Sequence, residues 1–121
     1  MHPLYEEALK LADRLKAARL EVVSLTSELA TVEYNLAVAK ARVERALIKQ
    51  VGDEKKLGPT AESRERVFTL ARDADQDFKT QARRQIDTQA RLERAKIEVA
   101  ALRDQLTITL TAMRATEEGA G

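Results

Sequence analysis

Few residues of this chain are of a type and spacing that could carry out catalysis or bind a metal. The carboxylates form three groupings, which are Glu6 with Glu7, Asp73 with Asp75 and Asp77, and Glu117 with Glu118. Carboxylate metal sites on helices combine such acids with histidine, but His2 is the single histidine, and we expect it to be a disordered terminal residue. The sequence also has no cysteine and no Walker, GxGxxG or GxSxG motif. We therefore predict a protein that is not an enzyme, with no catalytic residue, no cofactor and no metal.

Basic residues are the stronger candidates for chemistry, because phosphate binding needs only cations on one exposed face. Residues 79–96 contain six Lys or Arg against the two acids Asp87 and Glu93. The possible nucleic-acid contacts are Lys79, Arg83, Arg84, Arg91 and Arg94. Ion pairing between helices remains an alternative, with Glu21 and Glu28 as expected partners of Arg84 and Arg91. The net charge of +1 and the lack of interleaved aromatic residues give no further support to nucleic-acid binding.

The composition is typical of long helices rather than of a globular core. Charged residues make up 34% of the chain and aromatic residues only 3%, with no Trp, which favours a coiled coil. The two Pro and four Gly leave residues 4–51 and 61–116 unbroken. No apolar run is long enough to cross a membrane, and acids follow the N-terminus closely. We expect a cytoplasmic protein.

An apolar heptad seam runs along the first half of the chain. Its thirteen positions are Leu4, Ala8, Leu11, Leu15, Ala18, Val22, Leu25, Leu29, Val32, Leu36, Ala39, Val43 and Ala46. The alternating spacing of three and four residues predicts a long helix with a partner helix along it. A second seam consists of Val67, Ala71, Ala74, Phe78, Gln81, Gln85, Thr88, Leu92, Ala95, Val99, Leu102, Leu106, Thr109 and Met113.

The two seams predict an all-α fold made of one antiparallel two-helix coiled-coil hairpin. Helix 1 is expected over about residues 3–51, a turn over 52–60, helix 2 over about 61–116, and a frayed tail over 117–121. Gly52 should end helix 1, and Thr60 should cap helix 2. Matching the seams places the reversal near Leu57.

The middle of the second seam is polar and allows two interpretations. Gln81, Gln85 and Thr88 can form a polar layer that sets the register of the helices. Alternatively, the helix rotates locally, so that Ala82 and Ile86 turn inward.

A second apolar stripe on the outer faces predicts an interface. Its members are Leu20, Val23, Ala30, Tyr34, Ala37, Ala41, Ile48, Ile86, Ala90, Ile97, Ala101 and Ile108. Apolar residues on two faces of a helix indicate more than one neighbour. Our first expectation is a homo-oligomer in which hairpins form a four-helix bundle or a larger assembly. The alternatives are a different protein docked on the stripe, or a monomer with an alanine-rich surface.

Residues of the turn and of helix 2 resemble a known group of proteins. The segment from Leu57 to Arg66, LGPTAESRER, is followed by Asp75-Gln76-Asp77-Phe78 and later by Ala101-Leu102-Arg103-Asp104-Gln105. Over about residues 35–110 this resembles small uncharacterised coiled-coil hairpin proteins of bacteriophages and mobile elements. The resemblance implies an accessory role in DNA recombination and, for a phage-encoded protein, a location in the host cytoplasm. It supplies no functional residues.

Together these patterns indicate a protein that acts by binding. The first hypothesis is an oligomeric coiled-coil scaffold, adaptor or modulator of a partner protein. The second is direct nucleic-acid binding by the basic helix faces of an assembled oligomer.

Overall fold

The computed structural model describes residues 2–120, and all the regular secondary structure within them is helical. Helix α1 spans Tyr5–Val51, a short 3-10 helix spans Glu54–Leu57, α2 spans Ala61–Ala74 and α3 spans Gln76–Ala120. The all-α prediction is therefore confirmed. Helix α3 continues through the expected tail as far as Ala120, so the prediction of fraying from residue 117 is wrong for the described part of the tail. Among residues 2–120, no helix is apolar over a length that could cross a membrane.

The two ends of α1 are stabilised by local hydrogen bonds. The N–H of Leu4 donates to Nδ1 of His2 over 3.0 Å, and the N–H of Tyr5 donates to the His2 carbonyl over 2.9 Å. His2 is thus an ordered cap, contrary to the expectation of a disordered terminus. At the other end the N–H of Gly52 donates to the carbonyl of Ile48, and Gly52 adopts a φ of 90°. A residue with a side chain would be strained at that φ, which is why glycine stops the helix there.

The turn leads into α2 through a capping box. The Thr60 hydroxyl accepts a hydrogen bond from the N–H of Ser63 over 3.1 Å, and the Ser63 hydroxyl accepts one from the N–H of Thr60 over 3.0 Å. These bonds confirm Thr60 as the N-cap. Gly58 lies so close to Ser63 that a β-carbon at position 58 would stand 2.9 Å from the Ser63 β-carbon. Only glycine fits at position 58 without moving the cap.

The prediction of one continuous helix over residues 61–116 is wrong at Asp75. Asp75 is extended, with φ −86° and ψ 122°, and it separates α2 from α3. Its Oδ2 accepts a hydrogen bond from the N–H of Phe78 over 2.8 Å, so it is the N-cap of α3. Its carbonyl accepts the first hydrogen bond of α3 from the N–H of Lys79. A side chain that caps a new helix makes the break possible without Gly or Pro.

The described residues form two compact units, of which the first combines residues 2–27, including the first part of α1, with residues 90–120 of α3. Leu11, Leu15 and Leu102 form the centre of its core, and Leu102 is only 2% exposed. Ala18, Val99 and Leu106 pack against this cluster. Both predicted seams supply these residues, so the heptad pattern correctly identifies the core of unit 1.

The second unit spans Glu28–Gln89. Within it, Arg42 pairs with Asp75 and Asp77, whereas Glu44, further along α1, pairs with the earlier residue Arg72. Partners that move backward as α1 moves forward show that this part of α1 is antiparallel to the α2 and α3 segments.

The buried face of unit 2 departs from the predicted seam close to the turn. Phe68 and Arg72 are buried in α2, whereas Ala74 and Ala46, both assigned to the seams, are exposed. Burying the Phe68 ring removes more apolar surface from water than burying alanine, and this favours a rotation of α2 by about one position. Arg72, four residues later, is carried inward with it. On α1, Ile48 is half-buried rather than fully exposed as the outer stripe requires.

The polar centre of the second seam is confirmed. Thr88 is buried, Gln81 and Gln85 are half-buried, and Ile86 is 69% exposed. The alternative, in which Ala82 and Ile86 turn inward, is wrong for Ile86, whereas Ala82 is half-buried. Nothing in residues 2–120 hydrogen-bonds to the buried Oε1 of Gln81.

Candidate functional site

The first candidate surface consists of exposed aliphatic side chains of unit 1, which we call the outer apolar face and define as Leu20 and Val23 of α1 with Ile97 and Ile108 of α3. These side chains are 62–68% exposed although all four are large and aliphatic. On α3, Ala101 is also exposed and lies between Ile97 and Ile108 at spacings of four and seven residues, which place all three on one side of the helix. Unit 1 therefore has apolar side chains outside its Leu102 core as well.

A shallow groove in unit 1 lies beside Val23. It has a volume of about 330 Å³ and is lined by Arg19, Val22, Val23, Lys96 and Val99. Val23 also lines a second depression of about 340 Å³, together with Leu15, Leu20 and Leu106 among others. Val23 thus stands where two open apolar surfaces meet, and it is the best anchor for a partner in unit 1.

The remaining predicted interface residues keep an exposed position with one exception. Ala90 lies in unit 1, and unit 2 contains Ala30, Tyr34, Ala37, Ala41 and Ile86, all of them exposed. Ile48 is the exception because it is half-buried.

Sequence reasoning missed several exposed apolar residues, which are Tyr5, Leu9, Val38, Leu70 and Leu110. Leu70, at 70% exposure, borders an open depression of α2 lined by Glu62, Glu65, Arg66 and Thr69. One feature of the sequence could have identified these five residues as exposed: none of them occupies a position of either heptad seam.

The second candidate surface is a basic groove in unit 2. Its lining residues all belong to α3 and are Gln76, Lys79, Thr80, Arg83, Arg84 and Asp87, around a volume of about 360 Å³. Three of the six carry positive charge and one carries negative charge. The structure therefore brings Lys79, Arg83 and Arg84 together, as the sequence suggested.

Two other predicted contacts lie outside this groove. Arg91 and Arg94 belong to unit 1, and the Nε of Arg94 donates to the carbonyl of Ala90 in its own helix. Arg91 is engaged in an interaction of its own. The expected ion pair of Arg84 with an acid of helix 1 does not form within residues 2–120.

The acidic residues near the break of α2 and α3 serve structural ion pairs. Arg72, 9% exposed, donates to Glu44 over 2.8 Å, to Glu65 over 2.6 Å and to the Thr69 hydroxyl over 3.0 Å. The hydrogen bond from Arg72 lowers the pKa of Glu65 below its ordinary value. For the Asp75 carboxyl, the N–H of Phe78 and then the guanidinium of Arg42 lower the pKa. These acids are held in their charged form by the fold and are occupied as structural groups.

No cluster of three or more potential metal ligands occurs within residues 2–120. No protein-family model matches the chain, and neither curated proteins nor solved structures provide a match. The outer apolar face of unit 1 and the basic groove of unit 2 are therefore the features that indicate a function.

Proposed function

We propose that this protein is a non-enzymatic helical scaffold that self-associates and thereby organises or modulates a partner protein. The building block in this proposal is an antiparallel two-helix coiled-coil hairpin, and two or more hairpins assemble into a four-helix bundle or a larger oligomer. The cytoplasm is the compartment that we propose for it.

The large aliphatic side chains left exposed in unit 1 are the observation that carries this proposal. A second copy of the chain could cover them, since a standard protein interface buries roughly 800 Å² on each partner.

The chemistry of the exposed surface supports association in the same way. Leu20, Val23, Ile97 and Ile108 are each more than 60% exposed. Burying one such side chain at an interface contributes about 1.5–3 kcal/mol. Eight of them in a pair of chains contribute about 12–24 kcal/mol if each passes from full exposure to full burial, and about two thirds of that from their exposure in the single chain. This is of the same order as the cost of bringing chains together, which is about 4–15 kcal/mol.

A mass measurement tests self-association. Light scattering of the wild-type protein should give a multiple of 13.5 kDa. The substitution Ile97→Asp should lower the mass to that of one chain and leave the helical circular dichroism unchanged, because position 97 is exposed and outside the core. Arg103→Gln, at an exposed position on the other side of the same helix, changes the charge by the same amount, is the matched control and should keep the wild-type mass. A wild-type mass of 13.5 kDa at micromolar concentrations would rule out self-association.

The class of partner that we propose is a protein of phage DNA recombination. The resemblance of residues 35–110 to small hairpin proteins of bacteriophages and mobile elements supports this choice. Affinity purification from the native host tests it, with Ile97→Asp in parallel. Recovery of a recombination protein with the wild-type chain and its loss with the variant is the expected result.

A further inference from the structure

We propose that the basic groove of α3 is a binding site for the phosphodiester backbone of nucleic acid, with Lys79, Arg83 and Arg84 as its contacts. This site goes beyond the scaffold function, and each single chain carries it complete in unit 2. It therefore needs no second copy and no apolar interface.

The spacing of the three cations suits a linear polyanion. Residues three and four apart on a helix lie on the same side, so Lys79, Arg83 and the flanking Thr80 and Gln76 point along one face. From residue 79 to residue 84 the helix rises about 7.5 Å. Three cations within this length can contact neighbouring phosphates of one strand, whereas a single small anion would engage only part of the row.

The charges of the groove are not already used by the protein. Lys79, Arg83 and Arg84 make no ion pair and no side-chain hydrogen bond with another residue of the described part of the chain. Arg42 and Arg72, in the same unit, are both paired with carboxylates over 2.6–2.8 Å. A phosphate can therefore form charge-assisted hydrogen bonds in the groove without first breaking an existing ion pair.

Neutral donors complete the groove and Asp87 limits it. The Nε2 of Gln76 and the Oγ1 of Thr80 lie 3.4 Å apart, and amides and hydroxyls of this kind supplement Lys and Arg in backbone contacts. Asp87 is the one carboxylate among the lining residues, and it repels a strand that extends further along α3. The charge of the groove favours a polyanion and leaves no reason for metal or cation binding there.

The groove predicts binding without sequence preference. It contains no aromatic residue on which a base could stack. Phosphate contacts alone carry no sequence information, and their strength falls steeply with salt. An acidic polypeptide is the competing occupant, but its carboxylates are spaced irregularly, whereas every nucleotide carries a charge.

Fluorescence anisotropy with a labelled single-stranded oligonucleotide of mixed sequence, in a series of KCl concentrations, tests the site. The logarithm of the association constant should fall with the logarithm of salt with a slope of about −2, since each of three phosphates contributes about 0.7. Each of Lys79→Gln, Arg83→Gln and Arg84→Gln should reduce the slope by about 0.7, and the triple variant should lower affinity roughly tenfold or more. Glutamine retains helix propensity at these exposed positions, which keeps the fold intact.

Two further variants separate this site from general charge attraction. Asp87→Asn removes the single acid of the groove and should strengthen binding. The double variant Lys10→Gln with Arg103→Gln removes exposed cations of unit 1 and should leave the slope unchanged. The proposal would be overturned if this double variant lost as much affinity as a double variant of two groove cations. Undetectable binding at low salt would also overturn it. Polyglutamate that competes as well as the oligonucleotide at equal charge would also overturn it, in favour of an acidic protein partner.

The outcome is independent of the scaffold proposal. Ile97→Asp, which is expected to dissociate the oligomer, should keep the intrinsic salt slope of each chain because position 97 lies outside the groove.

Discussion

Each of the two units is stabilised internally by a different kind of interaction, although the same helix α1 contributes to both. The buried residues of unit 1 include Leu11, Leu15, Leu25, Leu92 and Leu102. No leucine is fully buried in unit 2, whose buried positions hold Val32, Ala39, Val43, Phe68, Arg72 and Thr88. The ion pairs follow the opposite trend. Those of unit 2 are as short as 2.6 Å, whereas the Arg14–Glu98 pair of unit 1 spans 3.6 Å between exposed side chains.

This difference shows how a seam with small and polar residues can still specify one arrangement. Large aliphatic side chains in unit 1 gain free energy from burial without strict orientation. In unit 2 the side chains offer less apolar area, so directional bonds at Arg72 and Asp75 select the register. We expect the stability of unit 1 to depend on the volume of its buried apolar side chains, and the stability of unit 2 to depend on its ion pairs.

Removing volume from unit 1 should have the largest effect. Leu102→Ala leaves a cavity beside Leu11 and Leu15 and should lower the free energy of unfolding by about 3 kcal/mol. Chemical denaturation at constant protein concentration measures the loss, and hydrogen exchange should accelerate first within residues 8–18 and 95–109. Leu9→Ala, at a position of unit 1 that is 49% exposed and outside the outer apolar face, is the control and should change stability little. An equal loss in both variants would contradict the core that we assign to unit 1.

Removing charge from unit 2 should have an intermediate effect. Arg72→Ala leaves the half-buried Glu44 without its partner and should lower the free energy of unfolding by about 2 kcal/mol. Arg14→Ala, which breaks the exposed ion pair of unit 1, should change it by less than about 0.5 kcal/mol. Denaturation curves of the two variants at equal ionic strength make the comparison. If the Arg14 variant loses as much as the Arg72 variant, the two units do not differ in their dependence on charge.

Acid should produce the smallest effect and should act on unit 2 first. The folded-state pKa values of Glu65 and Asp75 lie below their ordinary values of 4.5 and 3.8. A lowered folded pKa means that the stabilising contribution is present above the ordinary pKa and is lost as pH falls through the folded value. Between pH 7 and 5 the stabilising contribution of these two groups should therefore stay constant. Below about pH 4.5 the amides of unit 2 should begin to lose their protection from hydrogen exchange.

Hydrogen exchange at acidic pH, corrected for the intrinsic exchange rate, checks this expectation. The loss should be weaker in the double variant Arg42→Gln with Arg72→Gln, since much of the pKa lowering disappears with the two guanidinium groups. Acid sensitivity that begins in unit 1 would reverse the assignment.

Much of the helical organisation could be predicted from the sequence because it depends on periodicity and on local caps. The spacing of Leu11, Leu15 and Leu102 correctly predicted the core of unit 1, and Thr60 was correctly predicted as a cap. The polar layer at Gln81, Gln85 and Thr88 also follows from the seam. The outer apolar residues are exposed as expected, with the exception of Ile48, because their spacing places them opposite the core.

The break at Asp75 could not be predicted because the seam residues on both sides are compatible with one helix. An aspartate in an alanine- and arginine-rich segment usually faces solvent, and in the sequence Asp75 stands out only as one of three neighbouring carboxylates. The decisive interactions are the cap on Phe78 and the ion pair with Arg42, 33 residues away, and the second requires the tertiary fold. The burial of Arg72 escaped prediction for the same reason, because its two carboxylate partners become visible only in the folded unit.

The position of Asp75 has a thermodynamic consequence for the basic groove. One carboxylate oxygen accepts hydrogen bonds from both Arg42 of α1 and the first turn of α3, and Lys79 donates its own N–H to the Asp75 carbonyl. Lys79, the first cation of the groove, is thus connected through Asp75 to the Arg42–Asp75 ion pair. Thermodynamic linkage is reciprocal. A ligand that binds better to the ordered first turn of α3 gains affinity from the Arg42–Asp75 pair. The ligand must strengthen that pair by the same free energy.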